Sequence, residues 1–211
     1  NSSAASDVYK RQVYMDAAME MLRGQHPKKE ILPGGILYYH IDDPVLESDT
    51  PLSDEEAEQA LLFALRPDGL VNSGEEIYRA MDQNFEGKSQ MIPVEIKKNG
   101  EISTARSKVA STEEFAVITR YVEHEIRQCG EAIYAGNIAV NPYRSDIETS
   151  CTYCPYASVC GMDAKIPGYE YRQFASMKKE EVLDQMQTEL ARNRGKEERS
   201  DEMDEGTAGR H

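Results

Sequence analysis

At 211 residues, with 39% hydrophobic and 29% charged, the chain is long enough for one domain with its own core and solvated appendages besides. No apolar run approaches the roughly 20 residues that span a bilayer, and the opening stretch lacks the apolar segment of a secretory signal, so a cytoplasmic protein is expected. A formal net charge of −14 excludes a chain that grips nucleic acid over its whole surface, because phosphate neutralisation by Lys and Arg supplies most of that affinity.

Residues 1–12, Asn-Ser-Ser-Ala-Ala-Ser-Asp-Val-Tyr-Lys-Arg-Gln, resemble translated adapter sequence, the alternative being a disordered linker. They are set apart from a folded body expected over 13–176. Val13, Met15, Ala17, Ala18, Met21 and Leu22 recur at helical spacing, and Gly24 and Pro27 end that helix. Residues 34–41, Gly-Gly-Ile-Leu-Tyr-Tyr-His-Ile, carry the β-branched and aromatic content of a strand. Ser53 and Glu56 form a capping box, in which each side chain satisfies a backbone donor of the other. The helix it opens carries Ala57, Ala60, Leu61, Ala64 and Leu65 on one face and ends at Pro67-Asp68-Gly69.

A shorter helix over 75–83 offers Ile77, Ala80 and Met81 for burial. Segments 92–97 and 101–104 read as a hairpin, since both positions of Asn99-Gly100 tolerate positive φ. A second capping box, Ser111 with Glu114, opens the strongest helix. Phe115, Ile118, Val122, Ile126, Cys129 and Ile133 trace its apolar stripe, and Gly136-Asn137 closes it. Residues 138–140 are extended. The cysteine segment occupies 149–163, and a terminal helix, expected over 177–192, buries Val182, Leu183, Met186 and Leu190. Residues 193–211 are nearly devoid of apolar side chains and read as a disordered tail.

Three of the four cysteines fall within ten residues, as Cys151-x₂-Cys154-x₅-Cys160. Two cysteines separated by two residues turn both sulfurs toward one point in a tight loop, and a third one short turn later reaches the same point. Soft thiolates so placed favour zinc or an iron–sulfur cluster; incidental buried thiols are the bland alternative. A [4Fe–4S] cluster needs one thiolate per iron, so three ligands are supplied and one is missing. Cys129 lies on an apolar stripe and reads as a small core hydrophobe, with a ligand role as the other reading. His26, His40 and His124 have no short spacing to the cysteines, and His124 reads as a surface residue.

Elsewhere the chemistry is thin. No G-x-x-x-x-G-K-[ST] loop is present, so this stretch hydrolyses no nucleotide by that route. Asp42-Asp43 could offer oxygens to Mg²⁺ but reads as a polar strand terminus turned by Pro44. Glu95-Ile96-Lys97 matches half of a nuclease E-x-K motif, and its place beside Asn99-Gly100 marks a hairpin instead.

Ser150-Cys151-Thr152-Tyr153-Cys154-Pro155-Tyr156, then Val159-Cys160, Asp163 and Tyr171-Arg172, resemble the end of the AddB family, helicase-like nuclease subunits of the bacterial AddAB complexes that resect double-strand breaks. Tyr14-Met15-Asp16-Ala17-Ala18, Gly35-Ile36-Leu37-Tyr38-Tyr39-His40, Leu52-Ser53-Asp54-Glu55-Glu56, Lys97-Lys98-Asn99-Gly100 and Lys179-Glu180-Glu181-Val182-Leu183 match in order. The likeness therefore runs from about Tyr14 to Leu190. The cysteine pattern alone is shared with other iron–sulfur nucleases such as Cas4-type proteins. The resemblance implies an α/β fold, the C-terminal half of a RecB-like PD-(D/E)XK nuclease domain, belonging to a Mg²⁺-dependent DNA exonuclease that pairs with an AddA-type partner and DNA and with no membrane. It also implies that Cys151, Cys154 and Cys160 hold a structural [4Fe–4S] cluster. In the family the catalytic acids, the Asp-Tyr-Lys strand and the first cluster cysteine all precede the helix that carries Tyr14, so no catalytic residue is expected here. Family members carry Gln four residues before the counterpart of Tyr14, where this chain has Lys10. The competing class is a zinc-stabilised interaction module without catalysis.

Overall fold

The computed structural model describes the backbone of residues 2–39, 41, 44–46, 48, 50–83, 85–146, 149–175 and 177–208, with side chains within 12–194. In chain order its elements begin with α1 (Ser2–Gln25), β1 (Gly35–Tyr38), α2 (Asp54–Ala64), β2 (Asp68–Asn72) and α3 (Glu75–Met81). They continue with β3 (Val109–Ala110), α4 (Thr112–Tyr134), β4 (Tyr143–Ser145), α5 (Ala157–Cys160), β5 (Arg172–Phe174) and α6 (Lys179–Ala208). The chain divides into two compact units, 14–116 and 1–13 with 117–211.

The first unit is built on a three-stranded mixed sheet in the order β1-β2-β3, with β1 antiparallel and β3 parallel to the central β2. Side chains alternate across it with the two-residue period of a strand. Leu37, Val71 and Val109 join Tyr78, Phe85, Ile92, Val94 and Ile96 on one face. Ile36, Leu70 and Ala110 join Phe115, Met15 and Tyr38 on the other. The mixed α/β class and β1 are therefore as expected, but β2 and β3 are not. Pro67-Asp68-Gly69 marks the end of a helix and, in the same residues, the entry to the central strand.

Gly69 has φ +141, and a Cβ there would stand 2.0 Å from the Ile36 carbonyl oxygen. Only glycine lets β1 and β2 approach so closely. The expected hairpin at Asn99-Gly100 is present as a turn: Lys97 N–H donates to the Glu101 carbonyl at 2.7 Å, and Gly100 takes φ +86. Its arms make single bridges, among them Ile96 to Ile102, rather than a regular ladder.

Both capping boxes form. Ser53 N–H donates to Glu56 Oε2 at 2.9 Å, and Ser111 N–H donates to Glu114 Oε2 at 2.7 Å. The backbone donor of Ser53 holds the Glu56 carboxyl below its ordinary range. The apolar face expected to bury α2 is not buried: no residue of the helix is, and Leu62 is more than half exposed. Phe63 instead lies between two cations, with Lys88 Nζ 4.1 Å and the Arg66 guanidinium carbon 4.8 Å from its ring centre, contacts in which the ring face attracts positive charge.

The second unit is helical, with the small parallel pair β4-β5. Its buried apolar side chains among the described residues are Val117, Val122 and Leu183. Gln12 is fully buried and donates from Nε2 to Thr119 Oγ1 at 2.9 Å. The stripe expected along α4 is buried only in its first half: Ile126 is 51% and Ile133 72% exposed. After Tyr134, Gly136 takes φ +70, Gly136 N–H donates to the Ile133 carbonyl and Asn137 N–H to that of Ala132, a glycine C-cap as expected.

Two segments expected to lack structure have helical backbone. Residues 2–12, a stretch without Gly or Pro, lie within α1. Residues 193–208 lie within α6. The Ala, Lys and Arg of the first stretch and the Glu, Lys, Arg, Met and Ala of the second favour helical backbone by intrinsic propensity.

Candidate functional site

The cysteine segment is framed by β4 and β5, which pair Tyr143 with Arg172 and Ser145 with Phe174. Ser150 fastens the loop between them to β4: its N–H donates to the Tyr143 carbonyl at 3.0 Å, and its Oγ accepts from Tyr143 N–H at 3.0 Å. Three successive turns then place the sulfurs. Cys154 N–H donates to the Cys151 carbonyl at 3.3 Å, Ala157 N–H to the Cys154 carbonyl at 3.3 Å, and Cys160 N–H to the Tyr156 carbonyl at 2.8 Å. Pro155 suits this path, because a proline leaves its own amide out of the ladder. The single turn α5 carries Cys160 and stops at Gly161, whose φ of +67 is readily reached only without a side chain.

Cys151, Cys154 and Cys160 are all half-buried free thiols. A hydrogen bond to the Cys151 sulfur, ahead of burial, pushes the Tyr171 phenol above its ordinary value. The Arg144 guanidinium lies over the same ring, 4.4 Å from its centre. Tyr143 and Phe174 meet edge to face at 5.5 Å across the strand pair. In contrast, Tyr153, Tyr156 and Val159 are at least two-thirds exposed, so the sulfurs lack an apolar shell of their own. Three soft donors suit an iron–sulfur or zinc centre in kind. In arrangement they fall short: among the described residues, no group of three or more His, Cys, Asp or Glu side chains is placed to hold a metal ion.

The remaining candidates fall away or change character. Cys129 is exposed on α4, which corrects its reading as a core residue; the half of the stripe that carries it is uncovered. His124 is not a plain surface residue, since its Nε2 accepts from Asn193 Nδ2 at 2.8 Å. Asp42-Asp43 and His40 lie outside the described residues. Glu95 is engaged by Arg106 at 2.7 Å and Lys97 by Glu101 at 3.8 Å, so both charges serve the hairpin and its flank, as its sequence suggests. Tyr14 is 70% exposed. Sequence reasoning did not single out Tyr171 and Arg144 as neighbours of the cysteines. Their meeting depends on the parallel pairing of two three-residue strands, for which local spacing carries no signal.

A mixed sheet packed on both faces is followed in the chain by a three-cysteine turn. The chain belongs to the PD-(D/E)XK nuclease superfamily, whose profile matches residues 2–161. It is similar to the B-type subunit of the ATP-dependent helicase/deoxyribonuclease from Thermoanaerobacter sp. (strain X514), at 37% identity over 178 residues, 84% of this chain and 15% of that protein. The protein of the same name from Lachnoclostridium phytofermentans is 38% identical over 179 residues, 81% of this chain and 15% of its own length. That of Clostridium botulinum (strain Hall) is 36% identical over 178 residues, with coverage of 84% and 15%. These names bear out the resemblance to AddB. The chain spans about 15% of the length of these curated relatives. Among the described residues no helix is long and apolar enough to cross a membrane.

Proposed function

We propose that the chain forms part of the nuclease domain in a bacterial helicase–nuclease, a DNA exonuclease that resects double-strand breaks in the cytoplasm together with an AddA-type partner. The observation that carries this reading is the extent of the superfamily match, which runs through the sheet unit and takes in all three clustered cysteines. No residue of this chain is assigned a catalytic role. Mg²⁺, held by acids of the family's upstream motif, supplies phosphodiester polarisation and water activation.

Cys151, Cys154 and Cys160 hold three corners of a structural [4Fe–4S] cluster, and a cysteine from a distant part of the longer polypeptide supplies the fourth. The Cys151-x₂-Cys154-x₅-Cys160 spacing, set out along three successive backbone turns, supports this reading. The cluster's role is to clamp, not to react. In the full-length protein purified without oxygen, about four irons per polypeptide are expected, with broad visible absorbance. Cys154→Ala should lose the iron and lower the melting temperature. Stoichiometric zinc in a colourless protein would replace this reading by the zinc-stabilised module, and a C154A protein that keeps its iron and its DNA-degrading activity would end it.

A further inference from the structure

The turn between the hairpin arms of the sheet unit holds the chain's one Asn-Gly pair, Asn99-Gly100. Both residues are exposed, and a Cβ built on Gly100 would meet no atom within 4 Å, so nothing shields the peptide between them. Asparagine is among the chemically labile side chains of proteins. Its amide carbon is open to attack by the backbone nitrogen of the next residue, and glycine, with no side chain, hinders that attack least. In the folded turn both reacting groups are held. Gly100 N–H, which must lose its proton, donates to the Lys97 carbonyl at 2.9 Å. Asn99 Nδ2, the leaving nitrogen, donates to Glu101 Oε2 at 2.9 Å, and Asn99 Oδ1 accepts from Glu101 N–H at 3.2 Å. Asn72, followed by Ser73 in the same unit, is the contrast: it is 1% exposed and bonded at both ends of its amide.

We propose that Asn99 is a site of deamidation and that Glu101 is the clamp that sets its rate. When the turn opens, the Gly100 nitrogen gives its proton to solvent and bonds to Asn99 Cγ. The Cγ–Nδ2 bond then breaks, and the nitrogen takes a proton from water and leaves as ammonia. Water opens the cyclic imide so formed. Opening at the side-chain carbonyl leaves aspartate; opening at the main-chain carbonyl leaves isoaspartate, whose backbone is longer by a methylene. The sum is one water taken up and one ammonia released, with no oxidant or cofactor. Either product sets a carboxylate where an amide donated to Glu101, so attraction becomes like-charge repulsion. The isoaspartyl form also lengthens the turn beneath the Ile96–Ile102 bridge, and Ile96 belongs to the core of the sheet unit. Modification of an exposed turn therefore reaches a buried side chain.

The test ages the 211-residue chain at body temperature in mildly alkaline buffer. Peptide mass spectrometry reads the exchange of –NH2 for –OH at each asparagine, and enzymatic methylation counts isoaspartate. Asn99 should convert while Asn72 stays intact, and the isoaspartate-rich chain should melt below the fresh one. Glu101→Ala, which removes the side-chain clamp, should speed conversion about two- to fivefold, the population shift of one exposed hydrogen bond. Glu101→Gln, whose amide oxygen still accepts from Nδ2, should stay near the wild-type rate. Asn72 guards against a loss of fold, since unfolding would speed both asparagines and release of the clamp speeds Asn99 alone. No conversion at Asn99 in the folded chain would overturn the site. A wild-type or slower rate in E101A, or acceleration shared with Asn72, would overturn the clamp.

Discussion

Asn72 shows how one polar side chain organises the sheet unit. It is 1% exposed at the end of the central strand. Its Nδ2 donates to the Pro33 carbonyl at 2.8 Å and to Thr112 Oγ1 at 3.0 Å, while its Oδ1 accepts from Gly74 N–H at 2.9 Å. Those three partners precede β1, open α4 and cap α3, so a single amide ties three chain segments to β2. Burial makes the arrangement costly to break, because each partner left behind keeps its desolvation penalty. Asn72→Ala is expected to destabilise the protein by about 2–4 kcal/mol, measured by urea unfolding; a loss below the size of one hydrogen bond would show that water replaces the amide. Asparagine after Leu-Val is no local signal of this role, since all three partners are distant in sequence or belong to turns.

Among the elements, those that announce themselves locally were the legible ones. Ser53 with Glu56 and Ser111 with Glu114 fix two helix starts through contacts three residues apart, and Gly136 fixes a helix end. The central strand was missed because its five residues begin with Asp68-Gly69, a pair that also stops a helix, and β3 was missed because two residues show no period. The cysteine turn was legible as donors and spacing; its neighbours Tyr171 and Arg144 were not, since pairing across a long connection sets them. The apolar stripes of α2 and α4 show that periodicity reports which face is apolar, not whether anything covers it. Gly69 carries the sharpest test at this scale. Gly69→Ala sets a Cβ against the Ile36 carbonyl and a side chain at positive φ, so a loss of more than about 1 kcal/mol is expected in chemical denaturation, with β1 detached from β2. Unchanged stability would mean that the strands separate at little cost.

At the scale of the whole molecule, apolar burial among the described residues is concentrated in the sheet unit. Both extended hydrophobic clusters lie there, whereas the described part of the helical unit buries Val117, Val122 and Leu183. Stability should follow burial. Hydrogen exchange read by mass spectrometry should find the amides around Val71, Val94 and Val109 among the slowest and those of α6 beyond Leu190 among the fastest; equal protection in α6 would contradict this. The cysteine turn belongs to the same reckoning. Its three sulfurs sit on a short stretch whose bends are already made by backbone hydrogen bonds, so fastening them to one another removes little freedom from the unfolded chain. Tethering entropy grows with the logarithm of the span enclosed, roughly 0.6 kcal/mol for each doubling. Nearly all the mechanical benefit of a shared inorganic knot would therefore come through its most distant strand, and severing that one attachment should loosen the protein more than the nearness of the other three suggests.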